Sequence, residues 1–138
     1  MKRLISSLLF VALTAVTAAA ADHASERKTS TVRAEALVMA ALTSEQRRLP
    51  KLGADQDPPS SSRFWFFTVT WAGLPEGSVV VGNYAVDPYT GDVFSSTASC
   101  YEYSNKRLRA LQAQVRSSLH LTRSKYQRLK TKGPLCEE

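Results

Sequence analysis

Residues 63–96 read RFWFFTVTWAGLPEGSVVVGNYAVDPYTGDVFSS, and this stretch decides the fold. From Phe64 to Trp71 every side chain is aromatic or β-branched, the composition of a strand. Alternation puts Trp65, Phe67, Val69 and Trp71 on one face and Phe64, Phe66, Thr68 and Thr70 on the other. Residues 74–77 (LPEG) make a turn, and 78–86 form a second strand with Gly82 as a candidate bulge. Residues 87–92 (DPYTGD) are a turn with its own chemistry. Pro88 pre-sets φ at the second turn position, Asp87 accepts from the turn backbone, and Gly91 takes the positive φ that follows a type I turn. Residues 93–96 then pair back as a third strand. The product is an antiparallel meander, with a fourth short segment available at 100–103.

Helical patterns flank the meander. Upstream, Ala34, Leu37, Val38, Ala41 and Leu42 fall at i, i+3, i+4, i+7 and i+8, one helix face. With Ser30 or Thr31 as cap, this predicts a helix over about 31–48, interrupted at Thr43 and stopped by Pro50 and Gly53. Residues 51–62 (KLGADQDPPSSS) read as a loop. Downstream, Ser104 or Asn105 caps a helix whose apolar side carries Leu108, Leu111, Val115, Leu119, Tyr126 and Leu129. It runs either unbroken to about Lys130 or, the preferred reading, breaks at His120–Leu121 with Thr122 capping a second helix. Gly133-Pro134 ends it. The fold class is therefore α+β. An N-terminal helix lies on an antiparallel meander of three to four strands, and a basic C-terminal helical segment follows, tied by one disulfide. The core should hold Leu37, Val38, Ala41, Trp65, Phe67, Val69, Trp71, Leu108, Leu111, Val115 and Leu119.

The N-terminus reads differently. Lys2 and Arg3 precede a mostly apolar run over 4–16, and Ala18, Ala19, Ala20 and Ala21 follow. This is the layout of a secretory signal peptide over 1–21, cleaved after Ala20 or Ala21. The apolar run is short for a membrane span, and no second run reaches that length. A flexible polar leader over 22–30 and one α+β domain over 31–138 would remain. Export places Cys100 and Cys136, the only two cysteines, where disulfides persist, so they pair with each other. No Cys-x-x-Cys spacing marks a redox pair. The expected location is the periplasm or the medium.

The chain has 138 residues with 18 Lys+Arg, 12 Asp+Glu and a formal charge of +6. The charges are segregated. Residues 52–103 hold six acidic side chains and one basic one, Arg63, whereas 104–132 hold nine basic and no acidic ones. Arg109, Arg116, Arg123 and Lys130 recur every seventh residue, which on a continuous helix drifts only about 20° per heptad and makes a ridge. Such a ridge is either a solvated face or a site for an acidic macromolecule; export argues against nucleic acid. The aromatic strand is apolar on both faces at its start, which means burial from both sides or a patch offered to a partner. Catalysis has little to work with. The two histidines, His23 and His120, lie in the leader and in the basic helix, no serine sits in a nucleophile elbow, and Asp87 and Asp92 belong to the turn. No His or Cys spacing suits a metal. The expectation is no catalytic residue, no metal and no cofactor.

The hairpin at 82–94, GNYAVDPYTGDVF, resembles the Y-x-V-D-P-x-T-G-x-V hairpin of PepSY-like and cystatin-like small exported bacterial modules, in which a helix packs across a short meander. The run from Cys100 through LRALQ (108–112) to PLC (134–136) is similar to the ends of small proteobacterial exported proteins. Some proteins of that plan look like immunity proteins against toxins delivered into the periplasm, others like inhibitors of lysozyme-type hydrolases. The resemblance implies a stoichiometric protein binder. Phe64, Phe66 and Tyr89 are the expected contact residues, and Arg109, Arg116 and Arg123 the expected reach toward an acidic partner. The alternatives are an envelope protein that holds anionic polymers or lipid phosphates through the basic helix, and a small hydrolase.

Overall fold

The computed structural model describes residues 27–73 and 79–136. The signal-peptide reading, most of the leader and the 74–77 turn lie outside them. The element order is α1 (Thr31–Ala41), β1 (Gly53–Gln56), β2 (Trp65–Thr70), β3 (Val80–Val86), β4 (Val93–Ser95), α2 (Lys106–Ser118) and α3 (Arg123–Leu129). The four strands form one antiparallel sheet in the order β1-β2-β3-β4. The fold class is the expected α+β.

Local chemistry explains the helix ends. The Ser30 hydroxyl accepts from Arg33 N–H at the start of α1. After Leu42, Thr43 and Gln46 bond reciprocally, hydroxyl to backbone and amide to backbone, which opens a single 3₁₀ turn at Gln46–Arg48. The helix expected over 31–48 thus ends at Ala41, because Thr43 offers the backbone another partner. Asn105 caps α2 through Oδ1, and its amide donates to Ala40 O at 2.9 Å, so one side chain starts α2 and closes the end of α1. The C-terminal segment breaks where expected. His120 takes φ 53°, and Thr122 caps α3 by accepting from Lys125 N–H.

The sheet differs from the expectation in two places. The strand beside β2 is β1, inside the stretch read as a loop. GADQ has no apolar alternation, and only pairing with β2 (Ala54 opposite Val69, Gln56 opposite Phe67) makes it a strand. Residues 100–103 supply just an isolated bridge, Glu102 opposite Phe94. The bulge falls beside Gly82: Val69 faces Gly82 and Thr70 faces Val80, which leaves Val81 as the extra residue.

Helices α1 and α2 cover one face of the sheet. Leu37, Val38, Leu42, Phe67, Val69, Tyr84, Val86, Val93, Leu108, Val115 and Leu119 make one buried cluster there. Each large side chain so buried contributes roughly 1.5–3 kcal/mol. Of the expected core residues, Trp65, Trp71 and Leu111 are only half-buried, since they sit at the margins of the helix layer. The other face carries a cross-strand row, Phe66, Ala85 and Phe94. The C-terminal tail closes over its Phe94 end. A Cβ on Gly133 (φ 104°) would stand 2.8 Å from the Phe94 ring, and Phe94 is 1% exposed. The Cys100–Cys136 disulfide fastens this tail, and Ser99 Oγ donates to Leu135 O at 2.7 Å beside it.

Candidate functional site

The DPYTGD turn organises the end of the sheet where the candidate residues meet. Asp87 O accepts from Gly91 N–H at 2.8 Å, Asp87 Oδ1 accepts from Tyr89 N–H at 3.0 Å, and Gly91 sits at φ 74°, as the turn chemistry requires. Both carboxylates of the turn are fully buried, and each is met by one arginine. Arg63 places Nε and Nη2 at 3.0 and 2.8 Å from Asp87 Oδ2, with Nη2 also donating to Leu129 O at 2.9 Å. Arg116 Nη2 lies 2.5 Å from Asp92 Oδ1, and its Nε donates to Thr90 O at 3.1 Å. Tyr126 donates its hydroxyl to Asp92, and Gln112 its amide to Gly91 O. Burial holds the Asp87 carboxyl above its ordinary value, against the lowering pull of Arg63 and the Tyr89 N–H. The turn is thus bolted to α2, to α3 and to the chain entering β2. Thr29, in the stretch read as leader, is also buried here and donates its N–H to Pro88 O at 2.7 Å.

Tyr89 projects from this turn into an open cleft of about 470 Å³. Phe64, Trp65 and Phe66 supply its aromatic lining, and the 57–62 segment, with Asp57 and two prolines, supplies its rim. The Arg63 guanidinium lies 4.9 Å and Lys28 Nζ 5.1 Å from the Tyr89 ring centroid, both in cation–π range. Phe64 is held edge-on against buried Phe94 at 5.8 Å. The cleft therefore offers preset aromatic surface beside two cations. It suits an apolar side chain flanked by carboxylates. Its described lining residues include no histidine, cysteine or carboxylate pair that would serve acid–base or nucleophilic chemistry. Among the described residues no group of three or more His, Cys, Asp or Glu is placed to hold a metal. No helix among them is long and apolar enough to cross a membrane.

Of the six expected contact residues, Phe64, Phe66 and Tyr89 line this one cleft. The arginines do not make a ridge, because the helix breaks between Arg116 and Arg123. Arg109 is exposed and donates to Ser104 Oγ, Arg123 opens α3, and Arg116 turns inward to Asp92. Lys130, the fourth of the heptad set, pairs with Glu102 at 3.3 Å. Cys100 and Cys136 form the expected bond, with Cα atoms 5.0 Å apart. The sequence reading missed Lys28 and Arg63 as members of the site. Arg63 did carry a signal: it is the lone basic residue of an acidic stretch and stands directly before the aromatic strand.

No family model and no curated protein matches the chain, so the PepSY-like and cystatin-like likeness stays confined to the hairpin. Among solved structures, a chain in the structure of a type VI secretion system effector–immunity complex from Pseudomonas protegens is similar in fold. The TM-score is 0.58 at 20% identity, over 77% of this chain and 91% of that one.

Proposed function

We propose that this chain is a non-catalytic binding protein, an immunity or inhibitor protein of the periplasm that occludes a toxin or a cell-wall hydrolase. One observation carries the reading. A turn bolted down by two buried ion pairs stands beside an open cleft that brings together Phe64, Phe66 and Tyr89, with Lys28 and Arg63, and whose described lining residues include no histidine, cysteine or carboxylate pair. Rigid aromatic anchors with adjacent cations are what binding hot spots are made of, because little side-chain entropy is lost on docking. The fold likeness to a chain of an effector–immunity complex supports the same reading, and so does a disulfide of the kind that persists in oxidising compartments. Exposed Arg109 and Arg123 would steer an acidic partner without being buried by it.

The test is binding of the purified protein to the exported toxin or hydrolase encoded beside its gene, by calorimetry. Phe66→Ala should weaken the complex by roughly 2 kcal/mol, about thirtyfold. A complex indifferent to Phe66→Ala and Tyr89→Ala alike would remove the cleft from the mechanism. Affinity for any polyanion that collapses with modest salt would favour an envelope-binding role instead.

A further inference from the structure

A second cleft, of about 540 Å³, opens where the end of α1, the bulged part of β3 and the start of α2 meet. It shares no lining residue with the Tyr89 cleft. Its wall is a ladder of three tyrosines that climbs from the core to the surface. Tyr84 is 2% exposed and its ring lies 4.9 Å from that of Tyr103, which meets Tyr101 edge-on, also at 4.9 Å. Tyr101, at the top, is 54% exposed. One ring packs against it, and its backbone is anchored on both sides of the peptide. Tyr103 holds its edge, Tyr101 O accepts from Ser95 N–H at 2.9 Å, and the preceding residue, Cys100, is locked at φ 55° in the disulfide. The charged lining residues are Arg47, Lys106 and Arg107, all cationic. The first turn of α2 carries no acidic residue to offset the positive end of the helix. Burial pushes the Tyr84 and Tyr103 hydroxyls up, so the rings stay neutral and the cations set the sign of the field.

We propose that this cleft is a second docking surface, for an acidic segment of a partner protein that seats an apolar side chain on Tyr101 and Tyr103 and aims carboxylates at Lys106 and Arg107. A protein segment fits better than a nucleic acid. The two outer rings meet at 84°, so they present no row of parallel faces for successive bases.

The experiment uses fluorescence anisotropy with a labelled Glu-rich peptide bearing one central Phe. Its controls are the same peptide with Ser for Phe, a Lys-rich counterpart and a single-stranded oligonucleotide of equal charge. The acidic Phe peptide should bind best. Lys106→Glu with Arg107→Glu should weaken it about tenfold or more, and so should Tyr101→Ala, whose ring is exposed enough to be removed without unfolding the domain. Phe66→Ala, in the first cleft, should leave it unchanged. The proposal falls if the peptide does not bind, if either cleft variant binds as wild type does, if the Ser peptide binds equally, or if the oligonucleotide binds more tightly.

Discussion

Arg116→Ala tests whether the buried turn is an electrostatic fixture or merely a crowded surface. The substitution removes the 2.5 Å contact to Asp92, the Nε bond to Thr90 O and a guanidinium stacked 4.2 Å from the Tyr126 ring centroid. Asp92 has no exposure of its own, so its charge is left with the Tyr126 hydroxyl as side-chain donor. Breaking a buried ion pair from one side costs about 3–5 kcal/mol. Arg116 itself is 28% exposed, which admits water and argues for the lower end, about 3 kcal/mol. For a domain of this size that lowers Tm by roughly 12 °C or more. Urea denaturation followed by the fluorescence of half-buried Trp65 and Trp71 reads it directly. Arg116→Lys should lose an intermediate amount, because one ammonium cannot reproduce the fork that serves Asp92 and Thr90 together. Arg109→Ala, which removes only an exposed bond to Ser104, should stay within about 0.5 kcal/mol of wild type. An Arg116→Ala loss below about 1 kcal/mol would refute the reasoning, since an uncompensated buried carboxylate cannot be that cheap.

Three further outcomes follow from the same structure. Gly91→Ala forces a β-carbon into a φ of 74° and to 3.1 Å from Val115 Cγ1, and should cost roughly 1–2 kcal/mol by the same denaturation assay. Replacing Cys100 and Cys136 by Ala removes a link across 36 residues, worth about 4 kcal/mol in the chain-entropy model, and should raise binding of a hydrophobic dye as the tail leaves Phe94. Burial raises the Asp87 carboxyl above its ordinary 3.8, so the folded state holds that proton at pH values where the unfolded chain has lost it. The associated stability is full below 3.8 and is lost as pH rises through the raised value. The difference between wild type and Asp87→Asn in urea should therefore move toward wild type as pH falls, and a shift the other way would contradict the burial argument.

The three strands β2, β3 and β4, the turn and the helix break were legible because each is set by a few neighbouring residues. Pro88 and Gly91 specify the turn, Asn105 and Thr122 the helix starts, and the aromatic run β2. What could not be read was decided by partners far along the chain. GADQ becomes β1 only through β2, and Phe94 is buried with Phe64 and the distant Gly133 against its ring. The same holds for the candidate site. Phe64 and Phe66 stood out because both faces of the strand are apolar at its start, and Tyr89 as an aromatic in a turn; the fold brings the three to one cleft. The heptad spacing of the arginines misled, since it assumed a continuous helix. Arg116 looked like its neighbours in sequence, yet the turn on β3–β4 presents it with Asp92.

The tail over Phe94 has a consequence for how the protein comes into being. A nascent chain emerging from its N-terminus can complete the helix side of the sheet once α2 is out. The Phe66–Ala85–Phe94 row has to wait for residues 131–136 before its far end is shielded. Until then the half-made molecule carries an aromatic stripe that is sticky to other half-made copies. The Cys100–Cys136 bond fastens the very segment that ends this sticky interval, so the last six described residues protect the molecule from its own copies.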